Sequence, residues 1–270
     1  MDLPPPRPAA ARTALLQAVT AVGDEAPALL AGCHGETPVP GSEWTVAEAA
    51  AHLAMANELM AALAAGEQRP YGDGTPASLA AANAAALARR PERDPAVLAE
   101  QIARWAREFT AAAAPRSGTE PVRTPLGPMD LDTLGSYLLT HMLAHLYDVA
   151  RALGRPHPLD RPRVALTMPF LRTAMPWVVD ARAAAGHHAC YRLRVRGLEG
   201  FAVTFTDGAA EVSQEPPRRP DCTILTEPVA FFLIALGRSS ATDALLRGKV
   251  LAWGRRPWLA PAFPRLFTAP

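Results

Sequence analysis

From Arg12 to Gly32 the apolar positions Leu15, Val19, Val22, Leu29 and Leu30 recur at helical spacing and predict a first helix. A second is predicted from Val46 to Ala65, because Thr45 stands where an N-cap belongs and Glu48 follows three residues later, the pair that closes a capping box. The segment Tyr71-Gly72-Asp73-Gly74-Thr75-Pro76 has turn chemistry, and Ala-rich helices follow over 77–89 and 95–114. The proline-spaced stretch Pro115–Pro128 reads as a loop. A long helix is then predicted from Leu131 to Leu153, stopped by Gly154 with Pro156 beyond it.

The second half has a different period. After a connection over 155–163 one more helix runs through about Ala185, and alternation by two sets in at Tyr191–Val195, Phe201–Phe205 and Cys222–Leu225. Thr206-Asp207-Gly208 supplies hairpin chemistry, so a small antiparallel sheet is expected. Pro228–Leu236 and Ala241–Leu246 look helical, Lys249–Trp253 reads as a last strand, and a short final helix carries Trp258, Phe263, Leu266 and Phe267. The chain thus divides into a helical part, 1–155, and an α+β part, 156–270, with a bridging helix at about 162–185. There is no internal repeat and no phosphate-binding glycine loop.

Composition narrows the classes. A chain of 270 residues with 49% hydrophobic and 20% charged residues can supply two cores. A formal net charge of +1 gives no electrostatic case for nucleic acid. The opening MDLPPPRPAAAR lacks the apolar core of a secretory signal, and no stretch approaches the roughly 18 uninterrupted apolar residues of a membrane span. A cytoplasmic protein without a membrane partner is expected. Its Ala, Arg and Pro bias, with 28 prolines, fits a high-GC and hence actinobacterial source. Three widely spaced cysteines, Cys33, Cys190 and Cys222, form neither a disulfide framework nor a zinc knuckle, and are expected to be reduced.

The candidate chemistry lies in His141-Met142-Leu143-Ala144-His145. Two imidazoles four apart stand one helical turn above each other and can close on one ion. The stripe Leu134, Leu138, His141, His145, Val149 turns them toward the core. Two hydrogen-bonded core histidines are the bland alternative. His52, amid the small side chains of Ala49-Ala50-Ala51-His52-Leu53-Ala54, adds a third imidazole from another core-facing helix. Three histidines make the donor set that leaves a fourth zinc position open. Asp148, one turn beyond His145, is placed either to orient that ligand or to face solvent. Tyr147 is a candidate donor to an intermediate, or a packing residue.

Several of these segments together resemble a known family. Trp44-Thr45-Val46-Ala47-Glu48 with His52, Thr124-Pro125-Leu126-Gly127-Pro128-Met129, and the helix from His141 to Gly154 are similar to the DinB-like four-helix bundle of the mycothiol-dependent maleylpyruvate isomerase family. Beyond Ala189 the chain resembles the small sterol-carrier-protein-like α+β domain that often follows that bundle, at Gly237-Arg238 and at Leu246-Arg247-Gly248-Lys249-Val250 with Gly254. The resemblance implies a zinc ion, or another divalent metal, on His52, His141 and His145, with the thiol of mycothiol as cosubstrate. Held at the open metal position, that thiol would ionise at neutral pH and attack an electrophilic small molecule. Departure of the thiol after rotation about the new single bond makes an isomerase; retention makes an S-transferase. Members of the isomerase branch typically carry glutamate where this sequence has His141, which leaves the site one charge more positive and puts maleylpyruvate itself in doubt as substrate.

Arg238, Arg255 and Arg256 are the cationic anchors offered to a carboxylated substrate. The rival readings are a thiol-independent metalloenzyme of specialised metabolism and a non-catalytic lipid or small-molecule binder. In that binder Phe231-Phe232-Leu233-Ile234 line a pocket rather than form the core. A monomer and a homodimer are both compatible with the sequence.

Overall fold

The computed structural model describes residues 8–73 and 75–268, so the proline-rich start and one glycine of the expected Tyr71–Pro76 turn lie outside the described residues. The chain divides into two compact units, Met1–Leu159 and Asp160–Pro270.

The first unit is helical. Helices α1 (Ala9–Leu30), α2 (Val46–Ala64), α4 (Pro95–Ala113) and α5 (Leu131–Leu153) form the bundle, and α3 (Leu79–Arg89) lies against α2. The capping box is present: the Glu48 amide donates to Thr45 Oγ1 and the Thr45 amide to Glu48 Oε2, at 3.3 and 2.8 Å. Close approach of α1 and α4 depends on Gly23, because a Cβ there would stand 2.5 Å from that of Ala106. Arg12 ties the start of α1 to the loop after α4, donating to the carbonyls of Ala113 and Arg116 and pairing with Asp132 at 3.4 Å. Gly154 ends α5 in the left-handed region, φ 63°, as a C-terminal glycine should.

One expectation in this unit needs correction. Part of the stretch expected to be a loop forms a hairpin, β1 (Pro121–Thr124) with β2 (Gly127–Asp130), paired antiparallel. Its prolines obscured it in the sequence; two-stranded and short, the hairpin tolerates Pro121 and Pro128 as no central strand would.

In the second unit α6 spans Arg161–Ala174. The expected run to Ala185 stops there because Pro176 opens a 3-10 turn, Met175–Val178. Strands β3 (Ala189–Val195), β4 (Phe201–Thr206), β5 (Ala209–Ser213), β6 (Cys222–Thr226) and β7 (Val250–Trp253) lie in the order β5-β4-β3-β6-β7. The sheet is mixed rather than antiparallel, since β6 runs parallel to β3. The chain leaves β5 at one edge, crosses by the Pro-rich segment 214–221 and enters on the far side of β3, so direction is repeated instead of reversed.

Helices α7 (Pro228–Ala235) and α8 (Ala241–Leu246) and a 3-10 segment, Pro257–Leu266, complete the unit. That last segment replaces the expected short α-helix, its prolines 261 and 264 removing the amides an α-helix would need. Tyr191 and Phe205 on the sheet meet Phe263 and Phe267, with centroids 4.7 Å apart for Tyr191 and Phe263. Phe231 and Phe232 are core residues, whereas Ile234 is half-buried and lines an open cavity of about 220 Å³ with Pro261, Pro264, Arg265 and Phe267. Cys190 and Cys222 are buried thiols and Cys33 is half-buried, all unpaired. Burial, with Asp221 adding to it, pushes the Cys222 thiol up to about 11, so it is inert as a nucleophile.

Candidate metal centre

The site forms where α2 meets α5. Ala49, Ala50, Ala51 and Ala54 are buried along α2, and their lack of bulk lets α5 come near enough for imidazoles on both helices to touch. On α5, Leu134, Leu138 and Val149 are buried, and this apolar stripe turns His141 and His145 inward. His52 is 4% exposed.

The three rings converge. His52 Nε2 is 3.0 Å from His141 Nε2, and one nitrogen of each of the three histidines lies within 4.8 Å of the others. Ring centroids are 4.9, 5.0 and 4.6 Å apart for His52–His141, His52–His145 and His141–His145. Burial lowers His52 to a pKa of about 4, so it is neutral at physiological pH. Its Nδ1 is buried and has no hydrogen-bond partner among the described residues.

Other side chains wall this cluster. Trp44 lies 4.7 Å from the His52 ring and 6.0 Å from that of His145. Tyr137, one turn before His141, presents its edge at 6.3 Å. Burial, with Tyr71 adding to it, raises the Tyr137 phenol far above its ordinary range. Asn57, fully buried, donates to the Ile102 carbonyl and to Met142 Sδ, pinning α2 to α4 and to α5 beside His141. Asp148 stands 3.8 Å from His145 Nδ1, an ion-pair rather than a hydrogen-bond distance. Tyr147 packs on His157 and under the Arg151 guanidinium.

The arrangement fits a divalent ion. Zinc holds nitrogens at about 2.0–2.1 Å in a tetrahedron, which sets neighbouring donors roughly 3.3 Å apart, close to the spacing seen between His52 and His141. The donors are imidazoles, and the most buried of them is held in the neutral form a metal requires.

Residues 9–150 match the family model described as the mycothiol maleylpyruvate isomerase N-terminal domain. The chain belongs to this family. Residues 174–254 match a second model, the SCP-2 sterol transfer family, in agreement with the resemblance read from the C-terminal sequence.

Among solved structures, the chain is similar to a histidine-to-alanine mutant of the mycothiol-dependent maleylpyruvate isomerase, at 12% identity over 91% of this chain and 93% of that one, with a TM-score of 0.51. That likeness speaks for the fold. A second structure of that isomerase is 14% identical over 87% of this chain and 91% of that one, with a TM-score of 0.46. A stereoselective inverting sec-alkylsulfatase from Pseudomonas sp. is 13% identical over 52% of this chain, which spans only 25% of the sulfatase, with a TM-score of 0.34. No curated protein matches the chain.

Of the residues singled out in the sequence, the family's bundle holds His52, His141 and His145 together, with Asp148 beside His145. Arg238, Arg255 and Arg256 belong to the second unit and are engaged there. Arg255 pairs with buried Asp221 at 3.1 Å, Arg256 donates to the His188 carbonyl, and Arg238 donates to that of Leu236. Sequence reasoning missed Tyr137 and Asn57, and took Trp44 only as part of the family-like segment Trp44–Glu48. Tyr137 was findable, lying four residues before His141 on the same helical face.

Proposed function

We propose that the chain is a metal- and thiol-dependent enzyme acting on a small electrophilic substrate, either as an isomerase or as an S-transferase. The observation that carries this reading is the meeting of His52, His141 and His145, with His52 Nε2 only 3.0 Å from His141 Nε2 inside a family whose model is defined on a mycothiol-dependent isomerase.

His52, His141 and His145 would hold the ion, with zinc the best match to three neutral nitrogen donors. When bound, such an ion supplies a Lewis-acid position that favours the ionised form of a thiol or of water. His52 stays neutral through burial, so no proton need leave it before it binds. Asp148, beside His145 Nδ1, would support the His145 tautomer that carries its proton there and leaves Nε2 for the ion. Trp44 and Tyr137 cover apolar flanks of the donors and keep bulk water away. Mycothiol is the proposed thiol, and Arg238, Arg255 and Arg256 are the proposed cations for a carboxylated substrate. With His141 in place of the glutamate typical of the isomerase branch, the donor set is uncharged, which favours an anionic sulfur ligand. We place the protein in the cytoplasm, as a monomer or homodimer; no described helix is long and apolar enough to cross a membrane.

One observation favours a second reading, that of a small-molecule or lipid carrier. The SCP-2 type unit has the cavity of about 220 Å³ beside Ile234, with apolar Pro261, Pro264 and Phe267 in its lining. The two are separated by incubating the zinc-loaded protein with mycothiol and a panel of cis-enoic and haloalkyl electrophiles, and following the thiol by mass spectrometry. Free thiol recovered after turnover identifies an isomerase and a stable adduct a transferase. No engagement of the thiol sinks the proposal and leaves the carrier and the thiol-independent metalloenzyme.

A further inference from the structure

Five large apolar side chains stand exposed among the described residues, and four of them, Leu246, Leu251, Trp253 and Trp258, fall between positions 246 and 258. They come from three elements that pack on one another, α8, the edge strand β7 and the 3-10 segment after it. On β7, Leu251 and Trp253 alternate with buried Val250 and half-buried Ala252, so both point away from the core. Leu246 is 82% exposed and Trp258 67%, which no requirement of the unit's own core explains.

The same stretch holds Arg247, Lys249, Arg255 and Arg256 and no acidic residue, in a chain whose formal charge is only +1. The acids around it are few. Asp221 is taken by Arg218 and Arg255, Glu227 pairs with Arg196, and Asp243 lies on α8 just before the stretch. Along 246–258, exposed apolar side chains therefore alternate in sequence with cations, Arg247 and Lys249 among them.

Charge and chemistry select the partner. A second copy of the chain laid edge to edge on β7 would bring like charges together and is disfavoured. A nucleic acid would stack on the tryptophans, but leucines offer no π face, and between 246 and 258 there is no Asn, Gln, Ser or Thr to read a base. A bilayer interface takes isolated apolar knobs without a matching pocket, prefers tryptophan at headgroup depth and rewards nearby Lys and Arg when its lipids are anionic. We propose that the α8, β7 and 3-10 surface docks the protein peripherally on anionic phospholipid bilayers. Leu246 and Trp258 enter the interface, and Arg247 and Lys249 lie at the headgroups.

The test uses the full chain with sedimenting vesicles of phosphatidylcholine, with and without phosphatidylglycerol. The protein should co-sediment only with the anionic vesicles, release as salt is raised, and show a blue shift of tryptophan emission on binding. Arg247→Gln with Lys249→Gln should lower partitioning on the order of twentyfold. Arg247→Lys should keep it, and Leu246→Ser with Trp258→Ser should remove the blue shift. Thermal melts of the variants establish that these exposed substitutions leave the fold intact; should one fail to fold, the lipid and salt dependence of the unaltered protein decides alone. Equal partitioning to neutral and anionic vesicles, or none to either, overturns the proposal. So does a dimer seen by light scattering that Trp258→Ser dissolves, or tighter binding to a single-stranded oligonucleotide through the same residues.

Discussion

His52 Nε2 and His141 Nε2 lie 3.0 Å apart although they are 89 positions apart in the chain and sit on different helices. A buried and a half-buried imidazole at that distance can share one proton or one ion, and the third histidine beside them makes the ion the better partner. Purified from zinc-supplemented cells, the protein should carry about one zinc per chain. His52→Ala and His145→Ala should each weaken zinc at least a hundredfold in chelator competition, and elemental analysis showing undiminished zinc in both would remove the metal centre. His141→Glu should keep the metal, because a carboxylate is an equally good donor.

The metal-free protein should lose stability in mild acid for a traceable reason. His52 has a folded pKa of about 4 against an ordinary value of 6.5, so between these pH values the unfolded chain takes up a proton that the folded chain refuses. Stability from this residue is unchanged above about pH 6.5 and falls as pH drops toward 4, by roughly 3 kcal/mol in all. Urea unfolding of the apo protein at pH 7.5 and 4.5 measures the loss, and His52→Asn should lessen it by most of that amount. Equal losses in the two proteins would show that His52 is not the buried base.

Trp44 should report on the site. Its ring is 4.7 Å from that of His52, so cobalt loaded in place of zinc should quench a distinct fraction of the tryptophan emission, and Trp44→Phe should abolish that fraction while leaving cobalt binding intact. Quenching that survives the substitution would assign the signal to another tryptophan.

Gly23 sets the distance between α1 and α4. Gly23→Val should destabilise the bundle by about 1–3 kcal/mol through overpacking against Ala106, and Ala106→Gly should restore much of the loss in the same chain. Chemical denaturation of the four proteins in that cycle checks the coupling; purely additive effects would contradict the close contact.

What the sequence disclosed, and what it hid, follows from the range of the forces involved. Thr45 with Glu48, and Gly154 with its left-handed φ, act within a turn of the backbone and were legible from spacing alone. The histidine pair on α5 was legible for the same reason. That His52 would meet it depended on a run of alanines being read as a close-packing surface, which the bundle bears out. The hairpin at Val122–Met129 was hidden because Pro125 and Gly127 signal a turn more strongly than four-residue strands signal themselves. The parallel pairing of Tyr191 with Cys222 was hidden for a deeper reason, since nothing local in either strand records which neighbour it will have. Asn57 was overlooked because a lone polar residue on a helix is read as solvent-facing until its neighbours, Ile102 and Met142, are known.

The aromatic contacts of Phe263 and Phe267 also bear on where the second domain ends. The family match stops at residue 254, yet these two phenylalanines, beyond it, close the hydrophobic interior over Tyr191 and Phe205. A boundary drawn by homology at 254 would cut away the last wall of the core. Residues 255–268 belong to the domain as fully as its strands do, even though no family pattern claims them.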